Sequence, residues 1–128
     1  MLGIVIVSHS EKLAEGVIDL ARMMAKEVMM VPAGGLEDGD YGTSFDKINA
    51  AIDKAASSDG VLILMDMGSA VMTTEMVLEM RDDDFPVKMA DCPLVEGAVS
   101  AACDAECGMS LEDIIEDLAT VGQIKKLN

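Results

Sequence analysis

The chain has almost no aromatic side chains: no tryptophan, one tyrosine and two phenylalanines in 128 residues. That scarcity removes the stacking platforms on which single-stranded nucleic acid is usually bound. Cations are scarce too, with 9 Lys and Arg against 24 Asp and Glu, for a net charge of −15. Phosphate backbones and anionic bilayers are therefore repelled, which excludes nucleic acid and charged membrane as partners. A protein with a basic face is attracted instead, although such a charge also serves solubility alone. No apolar run is long enough to span a bilayer, and no basic leader with a small-residue cleavage site opens the chain. A soluble, cytoplasmic protein without membrane insertion is expected.

Cysteine is limited to Cys92, Cys103 and Cys107, an odd number that suits no disulfide framework. Cys103 and Cys107 are four apart on an expected helix. With a single distant histidine they read as packing residues rather than a metal site, and neither metal nor cofactor is expected. Methionine, by contrast, is abundant at 12 residues. With so few aromatics, the expected core is aliphatic and thioether.

What the chain does contain is alternation. Residues 1–128 suit one domain, long enough to bury a core without staples. Leu2 to Val7 is an apolar, β-branched run of the kind buried on both faces in a parallel sheet. Ser10 then caps a helix carrying Leu13, Val17, Leu20, Ala21 and Met24 at helical spacing. Val28 to Val31 is a shorter strand closed by Pro32, followed by the glycine-rich stretch Ala33 to Ser44. Thr43 or Ser44 caps a helix through Phe45, Ile48, Ile52 and Ala55. Val61 to Met65 is a second fully apolar strand, and Asp66-Met67-Gly68-Ser69 leads from it into a helix through Met72, Met76, Val77 and Met80. Pro86 to Ala90 is a last short strand. A helix with Val95, Ala98, Val99, Ala102 and Cys103 inward and another from Ser110 with Leu111, Ile114, Ile115 and Leu118 complete the chain.

This order predicts an α/β fold, a three-layer α/β/α sandwich around a mainly parallel four-stranded sheet. The first and third strands are the more apolar and belong in the centre. The second and fourth carry proline or lysine, as edge strands do, so the strand order is 2-1-3-4. In that order the winding reverses between strands 1 and 3, and the crevice opens at their carboxyl ends. His9, the only histidine, and Asp66 lie at those two ends. An aspartate there also serves as an ordinary helix cap, and a lone histidine is often only a surface residue.

Their juxtaposition suggests chemistry. A neutral imidazole is nucleophilic at one nitrogen when an acceptor holds the proton on the other, and Asp66 is that acceptor. No second histidine stands by as a base, so a nucleophilic His9 is the economical reading. N–H groups near Ser10, Gly68 and Ser69, with Gly34 and Gly35 as further candidates, favour an anionic group on the ring without a lysine or arginine. A phosphorylated imidazole suits a relay. A small-anion binding or sensing module is the alternative of a different class.

The segments Gly3 to Ser10, Leu13 to Val17, Gly34-Gly35 with Gly42-Thr43-Ser44, Asp66 to Ala70 and Pro93 to Ala98 resemble the phosphocarrier subunits of phosphoenolpyruvate-dependent dihydroxyacetone (glycerone) kinases. These belong to the mannose-type IIA family of the sugar phosphotransferase system. The resemblance covers nearly the whole chain. It implies a phosphotransferase subunit with a phosphohistidine intermediate, in which His9 accepts phosphate from HPr and passes it to ADP held on the kinase's nucleotide-binding subunit. It also implies a homodimer, a ring-orienting role for Asp66, and roles around it for Gly35, Thr43, Ser69 and Glu96. Met67 and Met72 depart from the family's more usual residues. The nearest alternative is a mannose-type sugar-transport IIA domain that passes phosphate to a IIB partner.

Overall fold

A computed structural model describes all residues, 1–128. The sheet contains β1 (Gly3–Ser8), β2 (Met29–Gly34), β3 (Val61–Met65) and β4 (Val87–Met89) in the order β2-β1-β3-β4. All three pairings are parallel. The helices are α1 (Glu11–Ala21), α2 (Phe45–Ala55), α3 (Ser69–Glu79), α4 (Leu94–Glu106) and α5 (Leu111–Leu118), followed by a 3-10 turn at Val121–Gln123.

Alternation along the two central strands builds two cores. Ile4 and Ile6 of β1, with Leu62 and Leu64 of β3, point to the side covered by α1, α4 and α5. Val5, Val7, Val61 and Ile63 point to the side covered by α2 and α3. Every residue of β1 is buried, as a strand sandwiched between helix layers requires. The expected topology is thus present, and with it the crevice between the carboxyl ends of β1 and β3.

Four local expectations are corrected. Pro32 does not close β2; the strand continues to Gly34, with Pro32 opposite Ile6. Proline is tolerated because β2 is an edge strand, where a missing N–H facing outward costs no ladder bond. The inward faces of α1 and α4 are formed by small residues. Ala14, Val17 and Ala21 are the buried residues of α1, and Gly97, Ala98, Ala101, Ala102 and Ala105 those of α4, whereas Leu13, Leu20, Met24 and Val95 are exposed. Alanine lets the helices lie close to one another and to the sheet, and the larger side chains are displaced to the rim. Cys107 is also exposed rather than packed.

The core is not thioether-rich either. Met30 is buried, but Met1, Met23, Met24, Met29, Met67, Met72, Met76 and Met80 are all exposed. Branched aliphatics in the strands and alanines in the helices fill the interior instead, and close-packed interiors leave little room for long flexible chains.

Gly34 shows how tight the site-side packing is. A Cβ there would lie 2.5 Å from the Ser10 carbonyl oxygen and 2.8 Å from the Glu11 Cα. A Gly34→Ala protein is expected to lose about 1–3 kcal/mol in chemical denaturation, because backbone rather than a flexible side chain must move.

Asp104 sits where α4 meets α5, with Oδ2 buried and unpartnered. Burial first, then the neighbouring Asp117 carboxylate, pushes its carboxyl up to about 6. Ser100 of α4 donates to Asp117 at 3.5 Å, so the two carboxyls share one polar seam. A carboxyl whose value rises on folding destabilises the protein as pH climbs from its unfolded value, near 3.8, through about 6. An Asp104→Asn protein should therefore melt at a higher temperature than the parent at pH 7.5, with the advantage gone at pH 4.

Candidate functional site

The site begins where β1 ends. Ser8 is fully buried, and Ser10 is the N-cap of α1, accepting from the Leu13 N–H at 3.2 Å. The turn between them projects His9 from the sheet's carboxyl edge. The Ser8 hydroxyl accepts from the Ser10 N–H at 3.0 Å and donates to Asp66 Oδ2 at 3.0 Å, tying this turn to the end of β3. The main chain is tied as well: the Asp66 N–H donates to the Val7 carbonyl at 3.1 Å, and Gly42 to the His9 carbonyl at 2.9 Å.

Asp66 orients the imidazole. Its Oδ1 and Oδ2 lie 3.0 and 3.2 Å from His9 Nδ1, and Oδ2 also accepts from the His9 backbone N–H at 2.9 Å. Oδ1 takes the Met67 N–H at 2.7 Å. Burial opposes ionisation of this carboxyl, but the His9 and Met67 backbone donors, the Ser8 hydroxyl and the ring together outweigh it and hold it below its ordinary value. Asp66 is thus a carboxylate at neutral pH and can only accept, so Nδ1 carries the proton. Nε2 is left with its lone pair.

Nε2 faces outward. The His9 side chain keeps 30% of its exposure against 12% for Asp66, so the ring is the more accessible of the pair. The Ser69 hydroxyl lies 2.8 Å from Nε2 and donates to it. Behind Ser69, the Thr43 hydroxyl stands 3.1 Å from Ser69 Oγ and 3.0 Å from the Thr73 hydroxyl. Three hydroxyls therefore run in a chain to the imidazole. No lysine or arginine hydrogen-bonds to His9, Asp66 or Ser69.

Ser69 opens α3, and the cap before it is Gly68, at φ +52° and without a side-chain hydrogen bond. That conformation suits glycine. The Gly68 and Ser69 N–H groups donate to no protein acceptor, whereas those of Ala70 and Val71 bond back to Met67 and Gly68. Free N–H groups at a helix start are chemically suited to receive an anionic group.

Among the residues expected at the site, His9, Asp66, Ser10, Thr43, Gly68 and Ser69 come together. Gly34 and Gly35 lie directly beneath: Gly34 abuts Ser10, and Gly35, at φ +69°, gives its N–H to the Ser8 carbonyl at 3.1 Å and bridges to Thr43. They shape the floor. Glu96 does not join the group; its carboxylate pairs with Lys126 at 2.7 Å on the flank of α4. Two residues were not anticipated in these roles, Ser8 as a ligand of Asp66 and Thr73 at the end of the hydroxyl chain. Ser8 was visible as the residue before the histidine, and Thr73 as the hydroxyl one helical turn beyond Ser69.

Comparison with known proteins places this geometry. The family model EIIA-man, described as the fructose IIA component of the phosphotransferase system, matches residues 3–115. Among curated proteins, the chain is 42% identical to the phosphotransferase subunit DhaM of the PTS-dependent dihydroxyacetone kinase of Lactococcus lactis, over 91% of this chain and 92% of that one. It is 38% identical to a phosphoryl donor subunit DhaM of Listeria innocua, covering 93% and 94%. The DhaM of Escherichia coli is 39% identical, but the aligned part is 26% of that longer protein. Among solved structures, a protein of unknown function superimposes with a TM-score of 0.86 at 30% identity over the full length of both chains. A phosphotransferase-system EIIA component of Streptococcus agalactiae shares the fold, with a TM-score of 0.72 at 16% identity over 96% of this chain and 93% of that one.

Proposed function

This chain belongs to the EIIA-man family, alongside the DhaM phosphoryl donor subunits, and we propose that it is the phosphohistidine carrier of a phosphoenolpyruvate-dependent dihydroxyacetone kinase. The observation that carries this reading is the polarised imidazole: Nδ1–H held by the Asp66 carboxylate at 3.0 Å, and Nε2 covered only by the Ser69 hydroxyl at 2.8 Å, beside the unpaired N–H groups of Gly68 and Ser69.

In the loading step the Nε2 lone pair attacks the phosphorus of the donor's phosphohistidine. The Nε2–P bond forms as the donor's N–P bond breaks, and the donor imidazole leaves with that electron pair. The ring's new positive charge is balanced by Asp66 through the Nδ1 proton. Ser69 releases Nε2, and its hydroxyl turns to a phosphoryl oxygen, with Thr43 behind it as the next donor. In the delivery step a terminal oxygen of ADP attacks the same phosphorus, the N–P bond breaks and ATP results. Such transfers need positioning and anion stabilisation more than covalent machinery, and the site offers both. The donor in this reading is HPr, the acceptor is ADP on the kinase's nucleotide-binding subunit, and the working form is a homodimer.

The test is incubation with phosphoenolpyruvate, enzyme I and HPr, followed by intact-mass measurement before and after acid treatment. One phosphoryl group per chain, lost in acid and transferable to the ADP-loaded kinase subunit, is the expected result. Phosphate that stays in acid, or transfer only to a sugar-transport IIB protein, overturns it.

A further inference from the structure

The direction of the hydroxyl chain behind Nε2 follows from counting protons. Nε2 has a lone pair and no proton, so the Ser69 hydroxyl, 2.8 Å away, spends its one hydrogen there. The Thr43 hydroxyl then faces two Ser69 oxygens that can only accept, Oγ at 3.1 Å and the carbonyl at 3.4 Å, and its own hydrogen goes to them. With that hydrogen used, the 3.0 Å contact between Thr43 and Thr73 has one donor left, the Thr73 hydroxyl. All three protons therefore point toward the imidazole.

Thr73 departs from the usual behaviour of a threonine inside a helix. Its neighbour Thr74 gives its hydroxyl to the Ala70 carbonyl one turn back, at 2.7 Å, the local bond that helical threonines commonly make. Thr73 makes no such bond and reaches across to Thr43, in the loop between β2 and α2. That loop is itself tied to the site, since Gly42 donates to the His9 carbonyl at 2.9 Å and Thr43 bridges to Gly35. The support is also better shielded than what it supports: Ser69 is exposed, whereas Thr43 and Thr73 are half-buried. A serine hydroxyl rotates to suit its partners, and an exposed one without a fixed neighbour turns among waters.

Resting on the phosphorelay reading, we infer that Thr73 is a positioning residue for the transfer: through Thr43 it holds the Ser69 hydroxyl as a donor aimed first at Nε2 and then at the phosphoryl group bound there. Thr73 touches neither. The chain keeps one direction through the cycle, because a lone pair and a phosphoryl oxygen both accept. Only the Ser69 hydroxyl turns, while Thr43 and Thr73 stay in place behind it. Each donor in such a chain polarises the next, and a hydrogen bond to a charged oxygen is about twice as strong as one between neutral groups. Loss of the chain therefore costs the phosphorylated state more than the free one.

The experiment mixes phospho-HPr, freed of enzyme I, with the full chain and reads by intact mass how phosphate partitions between the two at equilibrium. Valine keeps the shape of threonine without its proton. In a Thr73→Val protein the partition is expected to shift about two- to fivefold toward HPr, with thermal melting at the parent value. Thr73→Ala gives a second reading in case valine disturbs the packing, and Thr73→Ser should restore the parent partition. Thr43→Val should shift it at least as far as Thr73→Val. The Thr43→Val/Thr73→Val double variant should go no further than Thr43→Val alone, since Thr73 acts only through Thr43. Partition compares two states of the same folded chain, which a merely structural role leaves unmoved. An unchanged partition in both Thr73→Val and Thr73→Ala, no rescue by Thr73→Ser, or additive shifts in the double variant overturns the positioning role while leaving the relay standing. A parent protein that takes up no phosphate from phospho-HPr overturns the relay and the role of Thr73 together.

Discussion

A His9→Ala protein supplied with phosphoenolpyruvate, enzyme I and HPr is expected to take up no acid-labile phosphate, and its transfer to ADP on the kinase subunit should fall to the background without the carrier. The effect is complete rather than partial because the chain has no second imidazole to substitute. The hydroxyls of Ser69, Thr43 and Thr73 remain, but without Nε2 none of them faces a base, and an unactivated hydroxyl is a weak nucleophile. The substitution removes a side chain that is 30% exposed, so the fold should survive. Intact-mass measurement and a melting curve on the same sample separate lost chemistry from lost structure. Persistent acid-labile labelling of His9→Ala would falsify the assignment of the nucleophile.

An Asp66→Asn protein is expected to load phosphate up to about 10⁴-fold more slowly, the loss that follows when the carboxylate orienting a triad's imidazole becomes an amide. The cause is which nitrogen carries the proton. An amide can present either its oxygen or its NH₂ to Nδ1; with NH₂ there, the ring proton moves to Nε2 and blocks attack. With the oxygen there, the orientation survives but the negative charge that balances a phosphorylated ring is gone. The carboxylate also receives backbone donors on both oxygens, Met67 on Oδ1 and His9 on Oδ2. Whichever becomes NH₂ meets an N–H head-on, and one unsatisfied buried group costs about 1–3 kcal/mol.

The same network sets a pH dependence. Asp66 titrates below its ordinary value in the folded protein, so its stabilising contribution is fully present above the unfolded value, near 3.8, and is lost as pH falls through the lower folded value. Urea midpoints of the parent and Asp66→Asn should therefore differ most at pH 6 and converge at low pH. A gap that is constant with pH would show that the carboxylate's charge is not what the fold uses.

The parts legible before any coordinates were those that depend on local pattern. Leu2 to Val7 and Val61 to Met65 read as buried strands because nothing polar interrupts them, and they are the central pair. Pro32 and Lys88 mark their strands as edges, which gives the order that places His9 beside Asp66. Pattern failed where helix faces were assigned by side-chain size. Leu13, Leu20 and Met24 share the spacing of an inward stripe, yet Ala14 and Ala21 are the buried residues on α1. Hydrophobicity identifies an apolar sector, but its centre is decided by how closely the neighbouring helix approaches, and α4 presents an alanine surface. The methionines went wrong for the same reason. Glu96 shows another limit, since its partner Lys126 lies thirty residues away and no local pattern joins them.

By itself the chain's order of apolar runs, caps and turns determined a parallel sheet with its winding reversal between β1 and β3, because crossover handedness and burial leave few alternatives. It also determined that one imidazole and one carboxylate meet at that rim. Only the tertiary structure decided which nitrogen of His9 faces the acid and which faces solvent, that Ser69, Thr43 and Thr73 line up behind the outer one, and that the methionines of α3 lie outside. Those outcomes depend on distances of about 3 Å between residues some 60 positions apart, and such distances follow from the packing of whole helices against the sheet.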